Sequence, residues 1–549
     1  MTVGPEHLII APILIPFFAG ALMLVYDERQ RRAKQTISLA AAAASLLVAI
    51  ELLIRSKGNA LTGNNDIGFY LLGDWAAPYG IALVIDRLSA MMLVLTGLLS
   101  LPALIYAAAG WHRQGQHFHS MFQFLLMGLN GAFLTGDLFN LFVFFEVLLA
   151  ASYGLLLHGG GQLRVRGGLH YIAVNLTGSL LFLIGVSLIY GATGTLNMAH
   201  LSNMVPVLSS AERPLFHAGA AIMGLAFLIK AGIWPLSFWL PTAYMAGAAP
   251  VAAMFAVMTK VGVYALLRLG FLLFGPTAGA SAGFGAQVMI AGGMATVTFG
   301  FLGVLASQGL GRMAAHLVLI SSGTVLAAAG VAMAGGGTEI LGAALFYLLS
   351  STLAVSALFL LIEPMSREEG GIASLLALTA DAYGLDEREE DRQPEVGLAI
   401  PGTLAVLGLS FSACGIVLAG LPPLSGFVGK LGMLQGLLAG GAATPALSWA
   451  LAALLILSGL ATMIGLVRVG IQTFWTGDSD PPRVMALEIA PVMTLIALLL
   501  FLTVKADVAL GYMQDTAEAV MRPKIYAEGL LGAPRAADAE QMSDEGVWP

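Results

Sequence analysis

The stretch LAFLIKAGIWPLSFWLP, residues 225–241, places Lys230 and Pro235 inside an otherwise apolar segment. A lysine near the centre of a bilayer costs roughly 2.5–3.5 kcal/mol on insertion scales, so such a residue indicates a function. Pro235 lacks an N–H and clashes with the carbonyl of Ala231, which leaves that carbonyl free beside the lysine. Water can hydrate such a break where it lines a cavity. The stretch therefore predicts a broken membrane-spanning helix with a buried cation at the break.

The same combination recurs in GLPPLSGFVGKLGMLQGLL, where Pro422 and Pro423 precede Lys430. These prolines free the carbonyls of Leu418 and Ala419 in the same way. Both breaks carry the letters P-L-S, and both interrupt a long apolar segment near a lysine. An ordinary proline kink is the alternative, but the lysine beside each kink favours a function.

A third lysine, Lys260, lies in VAAMFAVMTKVGVYALL, residues 251–267. Burial disfavours the charged form of an amine, so a buried lysine can bind and release protons near neutral pH. The series Lys230, Lys260 and Lys430 therefore predicts a proton path. Snorkelling to the interface or structural ion pairing is the alternative interpretation of these lysines.

The composition identifies an integral membrane protein. Of 549 residues, 58% are hydrophobic and only 10% are charged, whereas soluble domains contain roughly 25% charged residues. The apolar stretches are continuous and about 20 residues long, which excludes a β-barrel. A single cysteine, Cys414, excludes an intramolecular disulfide and any multi-cysteine metal site. The sequence shows no nucleotide-binding fingerprint, P-loop or ligand cluster, so we expect no cofactor, no metal and no nucleic-acid partner.

Hydropathy predicts an all-α membrane protein with about fourteen transmembrane helices, of which the seventh and twelfth are broken. The two breaks lie five helices apart along the chain, and an odd offset turns the second copy upside down, as in the inverted repeats of transporters. The predicted helices span residues 7–26, 35–54, 84–108, 118–136, 138–157, 168–190, 215–240, 249–274, 286–306, 311–334, 339–362, 396–440, 446–470 and 485–504. The predicted units are 1–110 with helices 1–3, 111–274 with a first repeat, 275–470 with a second, inverted repeat and an acidic loop at 363–395, and 471–549 with helix 14 and a polar tail.

The basic loop residues set the expected orientation, because cytoplasmic loops carry an excess of lysine and arginine. With fourteen helices most of these residues fall on one side, which we expect to face the cytoplasm across the plasma membrane, with both termini outside. Arg55 and Lys57 lie in the second loop, on the opposite side. The residues on the cytoplasmic side are Arg29, Arg31, Arg32, Lys34, Arg164, Arg166, Arg312 and Arg483.

Glu146 is the one acid deep within LFNLFVFFEVLLAASYGLLL, residues 138–157. A carboxylate at that depth needs a partner, and Lys230 is the candidate. A close carboxylate stabilises the charged amine, and opening of the pair removes that stabilisation, so the pair would act as a switch. A static buried pair is the alternative. Asp137, nine residues earlier and nearer the helix end, is expected to cap the helix or to lie at the interface.

His316 lies in GRMAAHLVLISSGTVL, within the predicted tenth helix. Because histidine titrates near neutral pH, His316 is a candidate relay between lysines. It is equally open to interpretation as a satisfied core residue. Ser321 and Ser322 follow on the same helix, where their hydroxyls are able to hold water.

Charged residues near the predicted helix ends are interpreted as structural. We expect Asp86 and Arg87 to form a local ion pair at the membrane edge and Arg268 to lie at the interface. The histidines in WHRQGQHFH lie beside a loop, so we expect no metal site there.

Several segments resemble one family: the antiporter-like, proton-translocating subunits shared by respiratory complex I and Mrp-type cation/proton antiporters. The resemblance covers roughly residues 80–470, and within the family it is closest to the D-type subunits of Mrp Na+/H+ or K+/H+ antiporters. Two stretches, FEVLLAASYGLLLHGG and ATGTLNMAHLS, favour that branch. The segments that carry the family resemblance are LFNLFVFFEVLL, YGATGTLNMAHL, IKAGIWPLSFWLPTAY, MTKVGVYALLRL and LAGLPPLSGFVGKL.

The resemblance implies a fold of fourteen helices with two inverted five-helix repeats, and protons that move along a hydrated central axis. It also implies a role in proton transfer for five residues. These are the fifth-helix glutamate Glu146, the seventh-helix lysine Lys230, the eighth-helix lysine Lys260, the tenth-helix histidine His316 and the twelfth-helix lysine Lys430.

The sequence departs from the family pattern in the eleventh helix, where many relatives carry a His-His pair followed by a lysine. Here FYLLSSTLAVSALFLL places Ser350 and Ser351 at the histidine positions and Val355 at the lysine position. The departure weakens the complex I interpretation. It leaves the serine hydroxyls, or water held on them, to bridge the second half of the path.

We therefore expect a membrane subunit of a multisubunit Na+ or K+/proton antiporter, a secondary transporter rather than an enzyme. Its expected partners are other membrane subunits, protons, a monovalent cation and the lipid bilayer. The alternatives are a proton-pumping subunit of a complex I-like or hydrogenase complex, and a structural membrane scaffold whose lysines only form ion pairs.

Overall fold

The computed structural model describes residues 5–27, 29–56, 67–366, 402–439, 445–474 and 484–535. The elements are almost all helices. They are α1 Ala11–Val25, α2 Arg31–Arg55, α3 Arg87–Ala107, α4 Phe118–Leu134, α5 Leu138–Leu157, α6 Gln162–Thr193, α7 Met198–Met204, α8 Arg213–Ala231, α9 Leu240–Ala246, α10 Ala249–Phe274, α11 Ala286–Ala306, α12 Leu310–Val331, α13 Thr338–Ser366, α14 Gly402–Ala419, α15 Ser425–Leu438, α16 Pro445–Phe474, α17 Ala486–Val504, α18 Ala506–Val520 and α19 Pro523–Leu531.

The predicted all-α membrane fold is confirmed. Within the described ranges, 12 helices are long and apolar enough to cross a membrane. The 15-residue α1 and the 17-residue α4 are shorter apolar segments that complete a set consistent with the fourteen predicted. Most of the acidic loop predicted at 363–395 lies outside the described residues, although α13 extends through its first positions to Ser366.

The two predicted helix breaks are present. Helix α8 ends at Ala231 and α9 begins at Leu240, and the Trp234 N–H between them donates to Thr296 Oγ1 of α11 at 2.8 Å. Helix α14 ends at Ala419, and the N–H of Ser425, the first residue of α15, donates to Thr503 Oγ1 of α17 at 3.0 Å. Each break thus satisfies a free backbone donor with a threonine from another membrane helix.

Three helices form the centre of the molecule. In α10, α12 and α13, 94%, 94% and 89% of the most apolar window is buried, whereas the corresponding value is 33% in α2 and 39% in α6. Glycines bring neighbouring backbones together, as small residues do in membrane helix packing. A Cβ added to Gly293 of α11 would lie 2.5 Å from the Ala327 nitrogen of α12. The third lysine, Lys260, lies on α10 and therefore in the most buried part of the protein.

One element is not predicted from hydropathy: an antiparallel hairpin of β1, Gly68–Leu71, and β2, Ala82–Ile85. A hydropathy window of helix length does not detect two strands of only four residues each. Asp86 follows β2 and caps α3, accepting from the Ser89 N–H at 2.9 Å. The membrane side on which this hairpin lies is called the hairpin side below.

The predicted polar tail contains two amphipathic helices, α18 and α19, which pack against the protein. Tyr512, Met513 and Ala517 of α18 are buried. The Tyr512 hydroxyl donates to the Arg87 carbonyl at the start of α3, at 2.8 Å. These helices therefore lie on the hairpin side, next to the first turn of α3. The sequence indicates no chemical role for this segment.

Candidate proton pathway

Lys260 is held at the centre of the protein by serine hydroxyls. Its side chain is 1% exposed, and its Nζ donates to Ser321 Oγ at 2.8 Å and to Ser322 Oγ at 2.9 Å, both on α12. Among the described residues no carboxylate lies within ion-pair distance of this amine. The positive charge is therefore stabilised by hydroxyl dipoles, so the amine is able to give up a proton without breaking an ion pair.

The hydroxyl contacts continue from α12 to α13. Ser321 Oγ and Ser351 Oγ are 2.7 Å apart, and the Ser351 hydroxyl donates to the Tyr347 carbonyl at 2.6 Å. Because that donation uses the Ser351 proton, Ser321 donates to Ser351 and Lys260 donates to Ser321. The result is a directed chain of hydrogen bonds that starts at the lysine amine and crosses two helices.

A second pair of hydroxyls joins α13 to the twelfth-helix break. Ser350 Oγ lies 2.7 Å from Ser425 Oγ, and both residues are buried. Ser425 begins α15, five residues before Lys430. Ser350 and Ser351 of α13 thus contact different helices. Ser351 bonds to Ser321 of α12, in the chain from Lys260, and Ser350 lies beside Ser425 at the second break.

Lys430 binds a backbone acceptor freed by the break. Its Nζ donates to the Ala419 carbonyl at 3.0 Å, one of the two carbonyls that the prolines at 422 and 423 were expected to leave free. Glycines make room for this side chain. A Cβ added to Gly420 would lie 2.5 Å from Lys430 Cδ, and one added to Gly459 would lie 3.2 Å from its Nζ. The lysine therefore binds one of the carbonyls that the sequence predicts to be free.

Glu146 and Lys230 do not form the direct pair that the sequence predicts. In the described part of the chain, neither Glu146 Oε1 nor Lys230 Nζ has a hydrogen-bond partner, although both atoms are buried. The amine instead lies 5.8 Å from the centre of the Phe145 ring. The Phe145 ring, next to Glu146 in sequence, thus lies near the amine. The carboxylate of Glu146 and the amine of Lys230 are not paired in this structure.

A small cavity beside Lys230 is also lined by Asn175, Tyr171 and Trp239. Its volume is about 10 Å³, close to the roughly 10–15 Å³ that one water requires. The break begins after Ala231, the residue next to this lysine, and Pro235 lies five residues after the lysine. Unlike Lys430, the Lys230 amine makes no hydrogen bond to the backbone of its break within the described ranges.

His316 is not brought into contact with the lysine and serine chain. It is 7% exposed, and its Nδ1 lies 2.9 Å from the carbonyl of Arg312, one turn earlier on α12. Ser307 Oγ lies 3.5 Å from the same nitrogen. The imidazole packs directly over Gly303 of α11, where an added Cβ would overlap it. The structure therefore places His316 near the beginning of α12, five residues before Ser321.

The interpretation of the charged residues on the hairpin side was wrong. Asp86 does not pair with its neighbour Arg87, but with Arg268 of α10, at 2.5 and 2.6 Å. Arg87 pairs with Asp515 of α18 at 2.7 Å. Arg268 is 8% exposed rather than interfacial, because it is bonded to Asp86 and lies against the Tyr526 ring of α19. Arg268 lies eight residues after Lys260 on the same helix, and this spacing could have indicated from the sequence that Arg268 is buried.

Asp137 has the capping role that was predicted. Its Oδ1 accepts from the N–H groups of Phe139 and Asn140 at 2.8 and 3.0 Å, at the first turn of α5. Asp137 thus satisfies free donors of the helix end and is not part of the lysine series.

Comparison with known proteins places this site in a family. Residues 135–456 match the family model described as "NADH:quinone oxidoreductase/Mrp antiporter, TM". The chain is 53% identical to the D-type subunit of a probable K(+)/H(+) antiporter of Rhizobium meliloti, over 98% of this chain and 99% of the relative. It is 34% identical to the D-type subunit of the Na(+)/H(+) antiporter of Bacillus subtilis, over 96% and 99%.

Solved structures show the same fold. A chain of the Mrp complex from Dietzia sp. superposes with a TM-score of 0.80 at 27% identity, covering 97% of this chain and all of that one. A chain of respiratory complex I from Thermus thermophilus superposes with a TM-score of 0.72 at 22% identity, over 94% and 99%. The shared fold thus extends over nearly the whole length of these chains.

Proposed function

The chain belongs to the family of membrane subunits shared by NADH:quinone oxidoreductases and Mrp antiporters, and we propose that its buried lysines and serines carry protons for a cation/proton antiporter. The protein is a multi-pass membrane subunit of a multisubunit monovalent cation/proton antiporter, a transporter and not an enzyme. Other membrane subunits of that complex are its partners. A role in a complex I-like machine remains the second candidate, because those subunits share the fold.

One observation carries the proposed path: the amine of Lys260 is 1% exposed and bonded to two serine hydroxyls. A static structural lysine at this depth would need a carboxylate to offset its desolvation. A hydroxyl both donates and accepts, so it passes a proton on by exchanging one O–H for another. Lys260 is therefore the group that stores the proton, and Ser321 and Ser351 are the groups that conduct it towards the second half.

The order of the path follows from the positions of the groups. Glu146 and Lys230 lie at the first break, Lys260 at the centre, and Lys430 at the second break. Ser350 and Ser425 supply the contact between α13 and the second break. His316 stands apart from this row and remains a candidate for proton exchange at the side of the membrane where α12 begins.

The open Glu146–Lys230 arrangement supports a switch. The buried Lys230 amine makes no ion pair with the carboxylate in the described residues, and the Phe145 ring lies near the amine. Movement of the carboxylate towards the amine would favour the charged form. The cavity beside Lys230, close to the volume of one water, is room for a water to contact the amine while the pair is open.

We expect exchange to require the whole complex. Vesicles that contain all the subunits encoded with this chain should show cation-dependent proton uptake, and vesicles lacking only this chain should show none. Expressed alone, the chain should not restore salt tolerance to a host without antiporters. Restoration by the chain alone at normal expression would contradict its role as an obligate subunit. Loss of quinone reduction, with cation exchange unchanged, would favour the second candidate function.

For the orientation we propose that the loops rich in arginine face the cytoplasm and that both termini lie outside. Arg164 and Arg312 stand at the beginnings of α6 and α12, on the side where we place the cytoplasm. A phosphatase fused to the C-terminus should be active, and a fluorescent protein fused there should be dark. A bright fluorescent fusion would show that the tail lies in the cytoplasm and that the proposed orientation is wrong.

A further inference from the structure

A column of polar side chains leads along α10 from Lys260 to the hairpin side. Lys260, Tyr264 and Arg268 are spaced four residues apart, so they share one face of the helix. The distance from the first to the last is two turns, about 12 Å. The Tyr264 hydroxyl donates to the Phe133 carbonyl at 2.7 Å and accepts from Arg268 Nε at 3.3 Å. Tyr264 and Arg268 are thus hydrogen-bonded to each other on the face of α10 that also carries Lys260, one turn and two turns beyond the lysine.

The column ends at a closed ion pair. Both terminal nitrogens of Arg268 donate to the carboxylate of Asp86, at 2.5 and 2.6 Å, and the two side chains are 8% and 9% exposed. Ser89 holds the carboxylate from the other side, through its N–H at 2.9 Å. The guanidinium also lies 5.2 Å from the centre of the Tyr526 ring of α19. Two parallel hydrogen bonds fix the pair in one geometry across the end of the column.

A cavity lies beyond the pair. Its volume is about 230 Å³, room for several waters at roughly 30 Å³ each. Asp86 and Arg268 line its inner wall, while Arg87, Arg522 and Tyr526 line the rest together with apolar residues. The Arg522 side chain is 65% exposed, so the cavity reaches the protein surface. Water on the hairpin side can therefore reach the Asp86–Arg268 pair, but the intact pair separates this water from Tyr264.

We propose that this cavity is the hairpin-side mouth of the proton path and that the Asp86–Arg268 pair is the gate that closes it. The proposal rests on the proposed function, because it takes Lys260 as the group that exchanges protons through the mouth. When the pair separates, water from the cavity reaches the Tyr264 hydroxyl. That hydroxyl accepts a proton on one side and releases one on the other, so Lys260 gains or loses a single proton and Tyr264 is unchanged. Arg268 remains protonated throughout and acts as a positioning residue.

The test is the passive proton permeability of liposomes containing the assembled complex, measured after an acid jump with no exchangeable cation present. In a double variant, Asp86→Asn with Arg268→Gln, the strong pair is lost while no lone charge is left buried. We expect its proton permeability to rise several-fold above that of the wild type. The matched control is Arg522→Gln, which lines the same cavity at its exposed edge and should leave permeability unchanged. A wild-type permeability in the assembled double variant would overturn the gate.

Adding Lys260→Ala to the double variant separates the gate from the path. We expect the extra permeability to disappear, because the opened mouth then leads to no proton carrier. If permeability rises in the double variant and stays high without Lys260, the mouth exists but the lysine path is wrong.

If the double variant does not assemble, Tyr264→Phe decides the question, since it removes a single hydroxyl. We expect it to slow cation-coupled exchange several-fold and to leave passive permeability low. A wild-type exchange rate in the assembled Tyr264→Phe complex would contradict the proposed route between the mouth and Lys260.

Discussion

Replacing Lys260 by alanine should stop cation/proton exchange while the complex still assembles. The expected loss is about 100-fold or more, the lower range of what a positioned proton-transfer group contributes. The physical reason is that Ser321 and Ser322 conduct a proton but cannot store one near neutral pH, whereas the amine they bind can. Because the variant removes a buried charge and leaves the apolar packing of α10 in place, we expect the fold to be retained. Exchange is measured in vesicles, with assembly checked on a native gel.

Lys505→Ala is the matched control for this variant. Lys505 is an exposed lysine at the end of α17, so the change removes the same side chain without touching the buried row. We expect wild-type exchange. If assembled Lys260→Ala and Lys505→Ala complexes both exchanged at the wild-type rate, Lys260 would have only a structural role.

The second large effect is expected at Glu146 and Lys230. Lys230→Ala removes a proton carrier, and Glu146→Gln removes the charge that would favour its protonated form, so both should strongly reduce or abolish exchange. Glu146→Asp keeps the charge at a slightly longer reach and should retain partial activity. Neither side chain has a hydrogen bond at the buried atoms Oε1 and Nζ in the described part of the chain, so assembly should not depend on a contact between them.

A pH series of exchange rates measures this switch. The residual activity of Glu146→Gln should have a pH optimum different from that of the wild type, because the variant has no carboxylate that can approach Lys230. Exchange at the wild-type rate in an assembled Lys230→Ala complex would contradict the switch. An unchanged pH optimum in Glu146→Gln would show that the carboxylate does not act on this lysine.

The membrane helices could be predicted well because their signal is local. Residues 249–274 and 286–306 are predicted as helices and form α10 and α11 with those bounds. Both breaks were also predictable, since a proline removes a donor and frees a carbonyl at a known distance along the chain. The hydrogen bond from the Lys430 amine to the Ala419 carbonyl follows directly from the second break.

Long-range pairing could not be predicted in the same way. Asp86 and Arg268 are 182 residues apart, and nothing in the local sequence distinguishes this pairing from the one with Arg87 next door. The four-residue strands of the hairpin are too short for a hydropathy window. For the tail, the sequence left an amphipathic and a disordered extension open, because its moderate apolar content gives no membrane signal; one face of α18 is buried.

The switch pair shows a different limit. The sequence identified Glu146 and Lys230 as the acid and base of the first half, but the assumption that buried charges meet did not hold. The Phe145 ring occupies the place beside the amine. Serines in the eleventh helix show the opposite case. They were expected only to bridge a gap, and the structure assigns Ser351 to the Lys260 chain and Ser350 to the second break.

The central claim is that the lysines act in series along one path. The most direct measurement is cation-driven proton exchange by purified, assembled complexes in liposomes, comparing Lys430→Ala with Lys260→Ala. Lys430 and Lys260 lie at different points of the row, one at the second break and one at the centre. If the lysines act in series, the exchange rates of both variants fall to the background of empty liposomes. Retention of about half or more of the wild-type rate in Lys430→Ala, with none in Lys260→Ala, would contradict a single path through both halves.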